Sequence, residues 1–600
     1  MPRARAPRRG APQMRLRIGF VLIAFALSVF GARLVQLQGL DPDSYAAMAA
    51  AEGSVDVVLP AQRGEILDRN GEPLAESADG LMVIADPALV NTDKDGNEVD
   101  RAPDLAKFLS TKLGVDYFTT LTRLRRTDTQ FQYIAREVPA AKATAVVARA
   151  DQLGYDGLTT QRDPIREYPA GDVAANLIGY LGTPLPDGTP NPAAGGGFEL
   201  SFNQLLSGTD GSARYSVAGG QKLPLGDNTI VEPTDGSDLH TTIDRQLQWY
   251  TQRVLRQTVD AAGGDSGTAI VLDSRTGEVL ALADDPTFDS NAPTESSPDD
   301  LGTRSMQEPY EPGSVEKVLT FASLLDAGKV TPRTKLTVPS ELDSNDGHTI
   351  GDWFDHGTIH LTVAGALAKS SNIGTVLAGN RMGPDQLHRY LTSFGLGQTT
   401  NVGVRGESRG ILPPASQWTQ GLEDRIDFGQ SVSVNALQMA AAINTIANGG
   451  ERIDPSLIEG RATTTDGQVV GTDVAQRTRV VSPKAAHQTA MMMERVVDPE
   501  AGVAPSAQVP GYRVAGKTGT AQRANSDCGC YDGTFTVSFA GFAPTDDPRF
   551  TVYVVVQNPR NGGGGGSVGG PAFSKIMSYA LRRYGVPPTD TKPSTLPVEW

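Results

Sequence analysis

The sequence predicts an α+β protein: a single N-terminal transmembrane helix, a mixed region, then a domain with one antiparallel sheet flanked by helices. Three observations lead there. A charge-free run near the N-terminus follows a cluster of arginines. TAIVLDSRTGEVLALA, TVSFAGFAP and RFTVYVVVQNP read as strands with short connections, which suit antiparallel neighbours. Between the first of these and the others lie helical patterns, among them LTVAGALAKSS, VNALQMAAAINTIA and AAHQTAMMMERVV, an all-helical insert within the sheet domain.

The N-terminal segment MPRARAPRRGAPQMRLR holds six arginines and no acid. Ile18 to Ala32 is then free of charge for 15 residues, short of the ~20 a spanning helix needs. Leu34, Val35, Leu37 and Leu40 extend it past Arg33, whose charge can snorkel to the interface. The run also has the character of a signal-peptide core, with Val29–Gly31 a weak cleavage candidate, but an uncleaved anchor is the preferred reading. Residues 1–17 are therefore a cytoplasmic basic tail and 18–40 a transmembrane anchor, with the rest outside the membrane. Residues 41–235 form a mixed N-terminal domain whose residues suggest no catalysis, 236–585 the sheet domain, and the Pro-rich, polar 586–600 a disordered tail.

Six hundred residues exceed one ordinary domain. A net charge of −16 argues against nucleic acid as a partner. The six histidines show no ligand spacing, so neither a metal nor a cofactor is expected. Cys528 and Cys530 are too few for a disulfide scaffold; two free thiols and a local bridge both remain open.

The chemistry begins at EPGSVEKVLT, Glu311–Thr320. Residues three apart share a helix face, so the Ser314 hydroxyl and the Lys317 amine can meet. Serine is a poor nucleophile until a base takes its proton, and lysine is a base only when uncharged. Burial and a second positive charge both push its pKa down from ~10.4. A helix N-terminus adds N–H groups for developing negative charge. Glu316 lies inside this turn, off the Ser/Lys face, and would raise the lysine pKa if it folded back. The second element is GKTGTAQ, Gly516–Gln522. On a strand, Lys517 and Gly519 point one way, Thr518 and Thr520 the other. Lys517 can supply the second charge and attract a carboxylate, while Gly519 permits close approach. The third is a Ser-x-Asn triplet. Of Ser201–Asn203, Ser370–Asn372 and Ser433–Asn435, the second is preferred, because it follows a helical pattern and can sit on a turn facing a cleft. Ser433–Asn435 reads as a helix start.

SxxK, SxN and KTG in this order resemble the signature of penicillin-binding proteins and class A β-lactamases. Nearly the whole chain is similar to the class B penicillin-binding proteins, membrane-anchored D,D-transpeptidases of cell-wall synthesis. RLVQLQ resembles the end of the family's anchor; QRGEILDRNGEPLA, YPAGDVAANLIGYLG and GGFELSFNQLLSGTDG resemble blocks of its elongated N-terminal pedestal, the dimerisation domain. LHTTIDRQLQ and FGQSVSVNALQMA resemble blocks of its transpeptidase domain.

The resemblance implies that Ser314 is acylated by a stem peptide, with Lys317 as base. Ser370, held with Lys317 and Asn372, would relay protons. The N–H groups of Ser314 and Thr520 would form an oxyanion hole. Lys517 and Thr518 would hold the substrate carboxylate, with Gly519 and Thr520 completing the binding strand. It implies peptidoglycan stem peptides and β-lactams as ligands, and a SEDS-type glycan polymerase and divisome membrane proteins as partners. The end, FSKIMSYALRRYGVPPTD, resembles the septal FtsI type, and the composition suits an actinobacterium. An elongation-specific member is the alternative; a β-lactamase, a carboxypeptidase and a non-catalytic scaffold fit the length and the full motif set less well.

Overall fold

The computed structural model describes residues 12–35, 54–218 and 221–600, apart from 94–95, 130, 183–192, 223–228, 345–346, 348, 525–527 and 529. The N-terminal helix Pro12–Val35 exposes the apolar side chains of its charge-free run, Phe20, Leu22 and Phe25 among them. Among the described residues no helix is long and apolar enough to cross a membrane. The expected span 18–40 runs on through 36–40, which lie outside the described residues.

The N-terminal domain has a head with its own hydrophobic centre and a base without one. In its head, the strand Gly80–Ala85 lies between Gln132–Pro139 and Leu158–Arg162, all antiparallel. The helices Ala102–Leu113 and Ala140–Gln152 cover this sheet around Val83, Leu105, Leu109, Ile134 and Val146. Its base has no core of its own. Ile66, Leu74, Phe198 and Phe202 merge with the core of the C-terminal domain, and Leu239–His240 pairs in parallel with Ile66–Leu67.

A buried ion network fixes that base. Glu199 is fully buried and meets Arg63 Nη2 at 2.6 Å and Arg166 Nε at 2.7 Å. The Tyr168 hydroxyl donates to the same carboxylate at 3.2 Å. Three segments far apart in the chain thus converge on one anion, which is shielded from water and fully paired.

The C-terminal domain carries a five-stranded sheet. Its elements are α1 (Arg245–Ala262), β1 (Ser266–Asp273), β2 (Val279–Asp285), the helical insert, β3 (Ala515–Ala524), β4 (Tyr531–Ala543), β5 (Phe550–Gln557) and α8 (Gly565–Arg583). The strand order is β2-β1-β5-β4-β3, antiparallel throughout. β1, β2 and β5 read as continuous apolar runs because helices cover both faces of the sheet. α1 and α8 pack together, Tyr250 stacking on Tyr579 at 4.1 Å. Phe539 and Gly541 of β4 face α8, and the preceding Ser538 faces the turn bearing Ser314. The insert contributes α2 (Lys317–Asp326), α3 (Val363–Ala368), α4 (Asn372–Gly379), α5 (Gln420–Ile426), α6 (Ala436–Ala447) and α7 (Pro483–Glu494). Short two-stranded hairpins, including Lys335–Val338 with Ile359–Thr362, interrupt it, so the insert is not all-helical.

The glycine-rich stretch after β5 opens α8, and its composition has a steric reason. A Cβ on Gly565 would lie 2.2 Å from the Ser538 carbonyl oxygen and 2.5 Å from that of Gly519; one on Gly569 would lie 2.8 Å from the Phe539 Cβ. Only bare backbone lets the helix start directly against β3 and β4.

The expectation of a disordered tail over 586–600 is corrected. The Thr589 N–H donates to the Gly511 carbonyl at 2.9 Å, and the Ser594 N–H to Glu494 Oε2 at 2.8 Å. The Thr362 N–H donates to the Val598 carbonyl at 3.0 Å, and the Trp600 N–H to the His360 carbonyl at 3.2 Å. Leu596 joins the main core, and the Trp600 ring lies beneath the Lys335 ammonium. The segment has too few apolar residues to fold alone, but it needs none where a preformed surface supplies backbone partners.

Glu199→Ala leaves two guanidinium groups facing each other in a buried site. It is expected to lower stability by about 3–5 kcal/mol, read by denaturant unfolding; a loss under about 1 kcal/mol would show that water takes over the pairing.

Candidate active site

Ser314 sits in the short 3₁₀ turn Gly313–Val315, immediately before α2, and is half-buried. Lys317, the first residue of α2, is fully buried. Its ammonium donates to the Ser370 carbonyl at 2.8 Å and to Asn372 Oδ1 at 2.6 Å. Among the described residues it makes no hydrogen bond to the Ser314 hydroxyl, so the expected contact across one helix turn is replaced by one to the SxN segment.

Ser370 occupies the turn between α3 and α4 with φ +58°, a left-handed conformation that few non-glycine residues adopt. Strain of this kind persists where the surroundings over-determine it. Ser371 caps α4, its hydroxyl accepting from the Gly374 N–H at 2.8 Å. Lys517, fully buried on β3, donates to the Ser370 hydroxyl at 2.7 Å, to the Thr518 carbonyl at 3.0 Å and to the Thr518 hydroxyl at 3.2 Å. The structure therefore brings Lys317, Ser370, Asn372, Lys517 and Thr518 into one network beside Ser314. The expected grouping changes in one respect: the Ser370 hydroxyl belongs to Lys517, while Lys317 holds the Ser370 backbone. Thr520 is exposed further along β3, and its hydroxyl accepts from the Gly565 N–H at 3.4 Å.

Gly519 also lets an element approach closely, and that element is the serine turn. A Cβ there would lie 2.2 Å from Ser538 Oγ, 3.0 Å from Val315 Cγ2 and 3.1 Å from the Pro312 carbonyl oxygen. β3 and the nucleophile turn are thus in direct register.

The electrostatics suit an uncharged amine. Burial lowers the Lys317 pKa to about 7, against the opposing pull of Asp352 and Glu316. Burial, and then the charge of Lys317, push Lys517 well below the usual lysine range. The Ser433 triplet is not part of this network: Asn435 caps α6 in a capping box with Gln438. In the N-terminal domain, Asn203 Oδ1 accepts from Arg63 instead.

Asp352 was not singled out in the sequence. Its buried carboxylate accepts from Ser371 Oγ at 2.7 Å and the Ile373 N–H at 3.1 Å, with His356 Nε2 at 3.1 Å. It fastens the SxN turn from behind. GDWFDHG carries an acid and a histidine but no motif, so only topology reveals the role. Glu311 was quoted only as the start of the serine stretch. It accepts from the Ser431 N–H at 2.9 Å and from the Tyr531 hydroxyl at 3.1 Å, linking the β3–β4 hairpin to the serine turn. At the tip of that hairpin Cys528 and Cys530 are joined in a disulfide. A cavity of about 370 Å³, lined by Tyr310, Glu311, Ser431 and Gln522 among others, lies along the last residues of β3.

A half-buried hydroxyl at a helix entrance, an amine held near neutrality and a second hydroxyl fed by another lysine suit acyl transfer through serine. Comparison with known proteins gives the lineage. The penicillin binding protein transpeptidase domain matches residues 267–578, and the penicillin-binding protein dimerisation domain matches residues 58–241. The penicillin-binding protein PbpB of Mycolicibacterium smegmatis is 35% identical over 97% of this chain and 92% of its own length. The peptidoglycan D,D-transpeptidase FtsI of Escherichia coli is 31% identical over 96% of this chain and 92% of its own. Among solved structures, a peptidoglycan synthetase from Bifidobacterium adolescentis aligns with a TM-score of 0.71 at 30% identity, covering 91% of this chain and all of that one. Penicillin binding protein 3 of Mycobacterium tuberculosis, complexed with aztreonam, aligns at 0.67 with 30% identity over 90% of this chain and all of that one. The chain belongs to the penicillin-binding protein transpeptidase family, with the accompanying dimerisation domain.

With Lys317 titrating at about 7, the amine is free above that pH and protonated below it. Acylation by a labelled penicillin is expected to rise through about pH 7 and then level off, measured by stopped flow; a flat profile between about pH 5 and 9 would contradict Lys317 as base.

Proposed function

We propose that the protein crosslinks peptidoglycan stem peptides through a serine acyl-enzyme, as a class B D,D-transpeptidase of the septal type. The observation that carries this reading is the convergence of Lys317, Ser370, Asn372 and Lys517 beside Ser314 from three distant segments. The relatives named peptidoglycan D,D-transpeptidase, and the related structures with aztreonam and ampicillin bound, support it.

The residues act in sequence. The neutral Lys317 amine takes the Ser314 proton as the hydroxyl attacks the carbonyl of the penultimate D-alanine. The N–H groups of Ser314 and Thr520 stabilise the tetrahedral oxyanion. Ser370 relays the proton taken up by Lys317, giving its own to the departing amine and receiving that one in its place, and the terminal D-alanine leaves. An amine of a neighbouring stem then attacks the acyl-enzyme, and the proton path runs in reverse. Lys517, Thr518 and Thr520 hold the substrate carboxylate before departure, with Gly519 keeping the strand close to the nucleophile. A β-lactam presents the same carbonyl and carboxylate and remains attached to Ser314.

The arginine-rich start and the exposed apolar face of Pro12–Val35 support a membrane anchor over 18–40, with the catalytic domain outside the cytoplasm. From there the protein would meet its lipid-linked or nascent glycan substrate, and a SEDS-type glycan polymerase and divisome membrane proteins at the septum.

Incubation with a β-lactam followed by peptide mass mapping is expected to place the adduct on Ser314, and Ser314→Ala to abolish it; an adduct elsewhere overturns the assignment. Ser370→Ala is expected to slow acylation about 10²–10⁴-fold, the range for loss of a proton-transfer group.

A further inference from the structure

Glu316 lies between the nucleophile and the base in sequence, and the reaction as described makes no use of it. The side chain is fully buried. Its carboxyl group receives the Thr320 hydroxyl, at 3.0 Å to one oxygen and 3.1 Å to the other. The loop after α5 packs directly on this turn. Gly313 N–H donates to the Gly429 carbonyl at 2.9 Å, and a Cβ on Gly429 would lie 2.8 Å from the Glu316 Cβ. Two residues earlier comes Asp427, 1% exposed, with no hydrogen-bond partner among the described residues for either carboxyl oxygen. Its carboxyl group is seated on Gly379, the last residue of α4, where a Cβ would lie 2.0 Å from Oδ2. Asp427 therefore touches the far end of the helix that begins with Asn372.

A carboxylate without donors in a dry site cannot stay ionised. Burial pushes both acids well above the usual carboxylic range, and were both ionised, Glu316 would repel Asp427 more than any other group. The other groups facing the pair are few. Lys317 acts on Glu316 from the same turn. Glu423 and Asp424 act on Asp427 from α5. Glu423 is pushed up to about 7 by burial and by Asp424, and Asp424 is occupied by Ser344 and Gln420. Lys317 itself feels Asp352 beyond the SxN turn and would feel Glu316 were that acid ionised, and Lys517 feels Lys317.

We propose that Glu316 and Asp427 are a buried pair of uncharged carboxylic acids that ties the serine turn to the end of α4 and keeps an anion away from the Lys317 amine. The pair rests on the reading of Lys317 as base. Its members are positioning residues. An ionised Glu316 would hold Lys317 as an ammonium; a protonated one fills the same space without that penalty, and its O–H can serve an oxygen of the partner acid.

The test uses the full-length protein in detergent. Infrared difference spectra at neutral pH between wild type and Glu316→Gln, and between wild type and Asp427→Asn, are expected to show a protonated-carboxyl C=O stretch present in wild type and reduced in each variant. No such band overturns the proposal. In the pH profile of penicillin acylation, Glu316→Gln is expected to leave the acidic limb in place. A downward move of half a unit or more, about threefold in the lysine ionisation constant, shows that wild-type Glu316 is charged and overturns it. Asp427→Ala is expected to slow acylation about tenfold, with Asp427→Asn recovering most of that loss because it keeps a donor for Glu316; equal rates for the two overturn the bridging role. Should Asp427→Ala fail to fold, the spectra and the Glu316→Gln profile decide the matter. Failure of the base reading has a separate signature, normal acylation by Lys317→Ala, which none of these outcomes produces.

Discussion

Two lysines share one buried pocket, and the rest of the site is arranged around the difficulty of that. Neither ammonium can be fully solvated, and Lys517 is disfavoured further by the charge of Lys317. The SxN turn separates them in function. Its carbonyl and its asparagine oxygen take Lys317, and its serine hydroxyl takes Lys517. One lysine is thereby placed to act as a base and the other to orient a hydroxyl. The left-handed backbone of Ser370 lets Ser370 and Asn372 reach two different lysines while Ser371 turns back to Asp352.

The architecture supplies the rigidity this requires. The nucleophile turn is pressed against β3 through Gly519, and β3 is pressed against α8 through Gly565. Serine turn, strand and C-terminal helix form a stack whose layers meet at glycines, Gly519 on one side of β3 and Gly565 at the start of α8. Asp352 braces the SxN turn from outside, and the Trp600 segment braces the hairpin strand that leads into α3. The N-terminal domain joins the same framework, since its base shares the main core and is locked by Glu199.

Much of this was legible in the sequence because the chemistry demands particular residue types at fixed spacing. Ser314, Lys317 and Lys517 sit in segments whose local order reveals both the element and the facing side chains. The triplet around Ser370 needed more, since three candidates existed and only the preceding helical pattern and the position in the chain favoured one. The antiparallel sheet was legible from apolar strands with short connections. What escaped had no local signature. Asp352 and the pairing of Asp427 with Glu316 exist only through contacts between distant segments. The tail over 586–600 looked unstructured because its composition was weighed alone, whereas its order comes from a surface built elsewhere. The glycines after β5 carry no pattern that names an element, yet they start a helix packed too closely for any side chain.

That glycine contact has an evolutionary corollary. Every codon change at Gly565 or Gly569 that replaces the residue adds at least one carbon, and that carbon meets the backbone or a Cβ of the neighbouring strands. Hereditary variation is therefore shut out of the wall behind the KTG strand. Change is accommodated instead on the open rim, at positions such as Ile411, whose exposed side chain leaves a new one somewhere to go.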